Sequence, residues 1–477
     1  MKDSKNNEYN KLYDWEEASK LINKYVLPIF DEQKDIRSKK IIDTLPDDML
    51  DDIKRIKIPK KPQDPDEIMK KANDIIYNYR MRLNNPRFFS FIPNTVSPFS
   101  ILGEFINSSY NPYGGGHANS SAISYLEKYL MNWMGSVAGY SEKELGGLFV
   151  SGGSMANLTA SVIARDEKLK EEDYPLATAY VSAQSHSSVS KGIHIMGINR
   201  KNVRKIKTVG FMMDINDLEE NIKRDIENGY KPFLVVGTAG TTNTGSIDPL
   251  DEIADIAEKY NLWFHVDGAY GASYLLSSQR GKFKGIERSD SLTWDAHKML
   301  FQTFGCAIIL CKDRQAMRRT YSQNPEYLKD VSTSDEYVNF WDLGIEMSVP
   351  ARGMRLWFTL QLAGTDSIKE ALDKTCENAK FFEEEIKKRD NFEVVSSANL
   401  SILNFRYFNK KYSEDELNSI NQRLSEMGIE RGYAVYYTTI LDGKTVLRIC
   451  STNMALTHDE IINILDQIEK DIDKLAL

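Results

Sequence analysis

Thr293-Trp-Asp-Ala-His-Lys-Met-Leu300 sets a lysine, Lys298, directly after a histidine and just past the strand-like run Ser291-Leu-Thr-Trp294. A second apolar run, Leu262-Trp-Phe-His-Val266, leads into Asp267, which precedes the lysine by 31 positions. An unpaired charge beside buried strands is costly, so both residues need partners. Taken singly, the lysine reads as a solvated surface charge and the aspartate as a turn former. Flanked by two buried strands, they read as a site.

The two residue types fit one cofactor. A lysine amine can hold an aldehyde as a Schiff base. A carboxylate facing a pyridine nitrogen keeps that nitrogen protonated, so the ring accepts electrons from a substrate carbanion. Lys298 and Asp267 together therefore point to pyridoxal phosphate. Ser151-Gly-Gly-Ser-Met-Ala-Asn157 joins a strand end to a helix start, where small residues let backbone N–H groups approach a phosphate. A tight turn with a serine cap is the plainer reading of that run alone. Gly237-Thr-Ala-Gly-Thr-Thr-Asn-Thr-Gly-Ser246 puts Thr242 at a carboxyl strand end, beside those carrying Gly153, His186 and Asp267. That edge is where α/β sheets bind ligands. His186, in Ser182-Ala-Gln-Ser-His-Ser-Ser188, reads equally as a ring-stacking group or a hydrogen-bonded structural histidine. The absence of GxGxxG and of a Walker loop disfavours nucleotide binding.

Around this site the chain divides into three stretches. Residues 1–95 are helical and charged, with an amphipathic piece from Asp66 to Leu83, and suit an arm. Residues 96–365 alternate strands with helices. Gly147–Val150, Thr178–Ser182, Phe233–Val236, Trp263–Val266 and Ala307–Leu310 are the strands, and Ile215–Asn228 and Pro249–Tyr260 carry helical periods. This predicts an α/β fold with a mainly parallel sheet covered on both faces. Residues 366–477 read as a small α+β unit: helix Ser367–Lys388, strand Leu400–Phe405, helix Ser413–Met427, a hairpin turning at Asp442-Gly443, and a last helix from His458. The polar stretch Gln323–Asp342 exceeds ordinary loop length, which predicts a functional lid.

With 477 residues, 41% hydrophobic and 27% charged, the chain can bury a large core. A net charge of −8 with interspersed signs gives no support for nucleic-acid binding. The polar start and the lack of a bilayer-length apolar run predict a cytoplasmic protein free of the membrane. Cys306, Cys311, Cys376 and Cys450 have no CxxC spacing and are expected to be reduced, and the six scattered histidines predict no metal site.

The five runs containing Gly153, His186, Thr242, Asp267 and Lys298 resemble, in order and spacing over most of the chain, the pyridoxal-phosphate-dependent group II amino-acid decarboxylases. Within them the chain is most similar to the aromatic L-amino-acid decarboxylases, nearest to the bacterial tryptophan decarboxylases. The resemblance implies the aspartate-aminotransferase-like fold type I and a homodimer with shared active sites. It implies that Lys298 holds the cofactor aldehyde, Asp267 pairs with the ring nitrogen, His186 stacks on one ring face and Ala269 packs on the other. Gly153, Ser154 and His297 would hold the phosphate, and Thr242 the ring-oxygen network, with Asp248 nearby. Tyr327, at the head of the long loop, matches the family's catalytic tyrosine, which would protonate the substrate carbon, and its loop is predicted to reach the neighbouring subunit's site. A phenylalanine there is associated with aldehyde formation, so the tyrosine implies simple decarboxylation.

The expected substrate is an aromatic L-amino acid, tryptophan favoured and giving tryptamine, with phenylalanine and tyrosine open. Phe91, Tyr113, His117 and Trp341 lie in aromatic, small-residue segments suited to a flat apolar side chain, core packing being the plainer reading of each. Arg87 is expected in a structural ion pair and Arg448 paired to a core carboxylate. The alternative is another fold-type-I enzyme, a carbon–carbon lyase or aminotransferase, because the same Lys and Asp serve those too.

Overall fold

The computed structural model describes residues 11–92, 95–323 and 338–475. Four short helices open the chain: α1 (Trp15–Leu21), α2 (Pro28–Lys34), α3 (Asp47–Lys54) and α4 (Pro65–Lys71). Asp14 and Asp64 cap α1 and α4 by accepting the backbone N–H groups of Glu17 and Glu67. The helical backbone continuing from α4 stops at Ile76 rather than Leu83. Beyond it Arg82 is buried against Asp43 at 2.6 Å, and its backbone N–H donates to the Ile41 carbonyl. That tertiary pairing outweighs the local helical pattern.

Helices α5 (Pro98–Tyr110) and α6 (Ser121–Val137) lead into the alternating region. It runs β1 (Gly146–Val150), α7 (Gly153–Lys168), β2 (Ala177–Ser182), α8 (Ser187–Ile195), β3 (Val203–Ile206) and a two-stranded hairpin, β4 (Thr208–Val209) with β5 (Met212–Met213). Then follow α9 (Ile215–Glu227), β6 (Lys231–Thr238), α10 (Leu250–Tyr260), β7 (Trp263–Asp267), β8 (Ser291–Trp294) and β9 (Ala307–Cys311). Seven of these strands form one sheet in the order β1-β9-β8-β7-β6-β2-β3. Only β9 runs antiparallel to its neighbours, so the sheet is mainly parallel. Every residue of β1, β2, β7, β8 and β9 is buried, as a sheet covered on both faces requires. Each large apolar side chain sealed this way, such as Phe233 or Phe264, contributes on the order of 2–3 kcal/mol. Parallel pairing brings the carboxyl ends of β1, β2, β6, β7 and β8 to one edge.

Helix α11 (Arg314–Tyr321) packs on α7 and β1, and α12 (Met354–Lys387) leads into the C-terminal part; its backbone breaks at Gly364 (φ 75°), so α12 is two helices meeting at a bend. Strands β10 (Phe392–Asn399), β11 (Ile402–Tyr407), β12 (Thr438–Leu441) and β13 (Lys444–Cys450) form an antiparallel sheet in the order β10-β11-β13-β12. Helices α12 and α13 (Glu414–Arg431) pack on it, α14 (His458–Leu475) packs against those two helices, and the β12–β13 turn has positive φ at both Asp442 and Gly443. Two left-handed residues match the right-handed strand twist, as the Asp-Gly pair predicts. Strand β10 escapes the sequence because its register against β11 is irregular and its residues are only partly buried. All four cysteines are buried and unbridged. Among the described residues no helix is long and apolar enough to cross a membrane.

Candidate active site

A cavity of about 280 Å³ opens at the carboxyl edge of the large sheet. Gly153, Ser154, His186, Thr242, Asp267, Ala269, His297 and Lys298 all line it. Each stands at or just after a strand end, so residues separated by up to half the sheet converge without long side chains. Asp267 closes β7 and is buried, its Oδ1 accepting the Ala269 N–H at 3.1 Å and its Oδ2 the Asn157 side-chain N–H at 3.0 Å. His186 caps α8, and its Nδ1 lies 2.8 Å from Ser188 Oγ.

On the other wall, Lys298 Nζ is 3.2 Å from Asp295 Oδ2, and His297 Nε2 is 3.6 Å from the same oxygen. His297 Nδ1 donates to the Cys306 carbonyl at 2.9 Å, which fixes the ring, and burial lowers its pKa. The α7 N-terminus faces this wall. A Cβ on Gly153 would come within 2.8 Å of the Asp295 carboxylate, so only glycine lets the helix start approach so closely.

The donor set fits pyridoxal phosphate. Backbone N–H groups at a helix start, Ser154 and His297 suit a dianionic phosphate, the Lys298 amine suits an aldehyde, and a buried carboxylate across the cavity suits a ring nitrogen. Two of the residues that line the cavity each carry a buried oxygen, Asp295 Oδ1 and Thr238 Oγ1, with no hydrogen-bond partner among the described residues. Such atoms mark polar surface that a bound group can satisfy.

Asp248 stands behind the cavity wall, next to its lining residue Thr238: its carboxylate accepts the backbone N–H groups of Met213 at 2.7 Å and Thr238 at 2.8 Å, tying β5 to β6, and burial raises its pKa to about 6. Other expected placements differ. Arg448 meets carbonyls rather than a carboxylate, donating to Ser90 O at 2.6 Å and Thr242 O at 3.3 Å. Arg87 likewise donates to the Arg37 carbonyl at 3.0 Å and has no ion pair among the described residues.

Phe91, Tyr113, His117 and Trp341 are absent from the cavity wall. Phe91 packs against Phe88 and Tyr437. Trp341 lies against the Gly114–Gly116 run so closely that a Cβ on Gly116 would sit 2.3 Å from its ring. Tyr113 tilts toward Trp341 and donates to Met347 O at 2.5 Å, while the His117 backbone N–H donates to Asn339 Oδ1 at 3.2 Å. These three are brought together, and Phe91 stands apart. Tyr327 lies outside the described residues.

Asn157, Ser188, Asp295 and Phe304 also line the cavity and were given no role by the sequence. Two carried a legible signal: Asn157 follows Gly153 by four residues, hence on the same helix face, and Asp295 precedes Lys298 by three.

Residues 46–408 match the pyridoxal-dependent decarboxylase conserved domain. The chain is 34% identical over 445 residues to an aromatic-L-amino-acid decarboxylase of Bacillus atrophaeus, covering 92% of each. Its fold superposes on the Oryza sativa enzyme TDC crystallised with PLP and tryptamine with a TM-score of 0.92, at 26% identity and 98% and 99% coverage of the two chains. For Catharanthus roseus tryptophan decarboxylase in complex with L-tryptophan the TM-score is 0.90, at 28% identity and 98% and 100% coverage.

Proposed function

The chain belongs to the pyridoxal-dependent decarboxylase family, as a pyridoxal-phosphate carboxy-lyase acting on aromatic L-amino acids, and from that premise we propose that tryptophan is its favoured substrate, released as tryptamine. The convergence of eight side-chain and backbone positions on one cavity at the sheet edge carries the reading of the site. The likeness to two tryptophan-associated structures supports the choice of substrate.

When bound, pyridoxal phosphate supplies an aldehyde for the substrate amine and a ring that takes up the electrons left as carbon dioxide departs. Lys298 would hold the aldehyde carbon and Asp267 the ring nitrogen. His186 and Ala269 would take the two ring faces, with Thr242 beside the ring oxygen and Gly153, Ser154 and His297 at the phosphate. Asp267 has two protein donors fixing its carboxylate, so its remaining lone pairs are free to face the cavity. Tyr327 delivers a proton to the substrate Cα once carbon dioxide has left. Phe91, Tyr113, His117 and Trp341 contact the aromatic side chain in this reading.

The working unit is a homodimer in which Tyr327 serves the neighbouring site. Exposed apolar side chains support this, including Leu102 and Phe105 on α5 and Leu27, Ile29 and Phe30 near α2. A three-part division near residues 95 and 365 and a cytoplasmic location belong to the same proposal, the first supported by the bend at Gly364. The aminotransferase alternative loses its candidate carboxylate grip, because Arg448 is engaged with backbone carbonyls. Amine and carbon dioxide release from tryptophan, phenylalanine and tyrosine, assayed in parallel, tests the substrate. The highest kcat/KM is expected for tryptophan, and a preference for either competitor overturns the choice.

A further inference from the structure

We propose that Asn157 is a positioning residue that orients Asp267 and His186 together, through one hydrogen-bond chain anchored by His265 and Ser291. This rests on the cofactor-contact roles just given to Asp267 and His186.

Asn157 lies at the start of α7 and is 1% exposed. Its Nδ2 donates to Asp267 Oδ2 at 3.0 Å and to Ser188 Oγ at 3.1 Å. Its Oδ1 accepts from Thr293 Oγ1 at 2.7 Å and from His265 Nε2 at 3.0 Å. A side-chain amide has two N–H donors and two lone pairs, and here all four are used.

The direction of each bond follows from the carboxylate. The carboxylate of Asp267 takes an N–H from Asn157, so the amide nitrogen faces it and the oxygen faces His265. His265 Nε2 then carries the N–H, and its Nδ1 accepts from Ser291 Oγ at 2.8 Å. Ser291 Oγ in turn accepts from Trp263 Nε1 at 2.8 Å. Burial lowers the His265 pKa to about 4, so the ring is neutral and able to accept.

On the other side, Ser188 Oγ accepts from Asn157 and so has its own proton for His186 Nδ1, 2.8 Å away. The Ser188 backbone N–H also donates to that nitrogen, at 3.3 Å. His186 Nδ1 is thereby the accepting nitrogen. A reversed Asn157 amide would set its oxygen against the Asp267 carboxylate, a repulsion that no tautomer of His265 relieves. One buried amide thus links groups carried by β7, β8 and the start of α8, and it allows a single arrangement of all of them.

The test is cofactor titration of the full-length apoenzyme, read by tryptophan fluorescence and by the position and pH midpoint of the visible absorption of the bound cofactor. By analogy with the orienting partners of metal ligands, Asn157→Asp is expected to weaken pyridoxal-phosphate affinity about 10- to 100-fold and to move the absorption. Asn157→Ser removes both donors without adding charge and serves where the charged variant does not fold. His265→Leu should shift both readouts in the same direction. His265→Gln, which keeps an N–H within reach of Asn157, should stay within about threefold of the unmodified enzyme. Variants that bind with unchanged affinity and absorption, while Asp267→Ala loses both, overturn the role of Asn157 alone. An Asp267→Ala enzyme that binds normally overturns the assignment of Asp267 and this proposal with it. A lowered apoenzyme melting point with unchanged affinity and absorption marks a structural role and also overturns it.

Discussion

The floor of the cavity and the aromatic segments assigned to substrate are built in different ways. On the floor, Asp267, His186, Asn157 and His265 are held by bonds of 2.7–3.3 Å within one chain, most of them inaccessible to water. Of the aromatic set, Phe91 is 41% and Tyr113 37% exposed, and neither reaches the cavity wall. The residues proposed for the electronic part of catalysis are thus held within one chain, whereas the segments proposed for the side-chain pocket keep open surface, which is the surface the proposed homodimer would cover.

Lys298→Ala tests the floor most severely: decarboxylation should fall by more than about a thousandfold, with loss of the borohydride-trapped cofactor adduct in mass spectra. A trapped adduct elsewhere would move the site. Tyr327→Phe tests whether the second region takes part in chemistry. Amine formation should drop about 10²- to 10⁴-fold while cofactor binding holds, and in the presence of dissolved dioxygen as two-electron oxidant, aldehyde, ammonia and hydrogen peroxide should appear instead. Mixing and refolding that variant with Lys298→Ala should recover activity if Tyr327 works across subunits, and no recovery would confine both residues to one subunit.

The floor also predicts a pH dependence of stability. His265 is neutral in the folded state down to a pKa of about 4, whereas its ordinary value is 6.5. The unfolded chain therefore binds the extra proton first, and stability is lost as pH falls from about 6.5 toward 4. The full effect is on the order of 3 kcal/mol. The gap in melting point between the unmodified enzyme and His265→Gln should narrow across that window, and a constant gap would rule out the buried neutral ring. The smallest effect is expected at the aromatic set. Phe91→Ala should change the tryptophan-to-tyrosine ratio of kcat/KM by about tenfold with the absorption of the bound cofactor unmoved. An unmoved ratio removes Phe91 from the pocket.

The floor was legible because its residues sit in short loops directly after strands, where identity and local sequence fix position. Gly153, His186, Thr242, Asp267 and Lys298 needed only the alternating pattern to be placed together. Asn157 and Asp295 stood inside the same runs, yet their roles depend on partners from other strands, which spacing alone does not reveal. Arg448 and Arg87 were misread for a related reason. An arginine in an apolar context needs acceptors, and backbone carbonyls serve as well as carboxylates, but only the fold shows which are at hand. Helix α4 shows the converse, since the periodic pattern to Leu83 yields at Ile76 to the buried Arg82–Asp43 pair.

Arg448 stitches three parts of the chain at once, for its guanidinium on β13 grips the Ser90 carbonyl before α5 and the Thr242 carbonyl after β6. Because Thr242 also lines the cavity, this tie works like a fuse. Loosening of the small sheet by heat or denaturant is therefore expected to loosen the cofactor wall with it, read as loss of cofactor colour and of C-terminal structure at one midpoint.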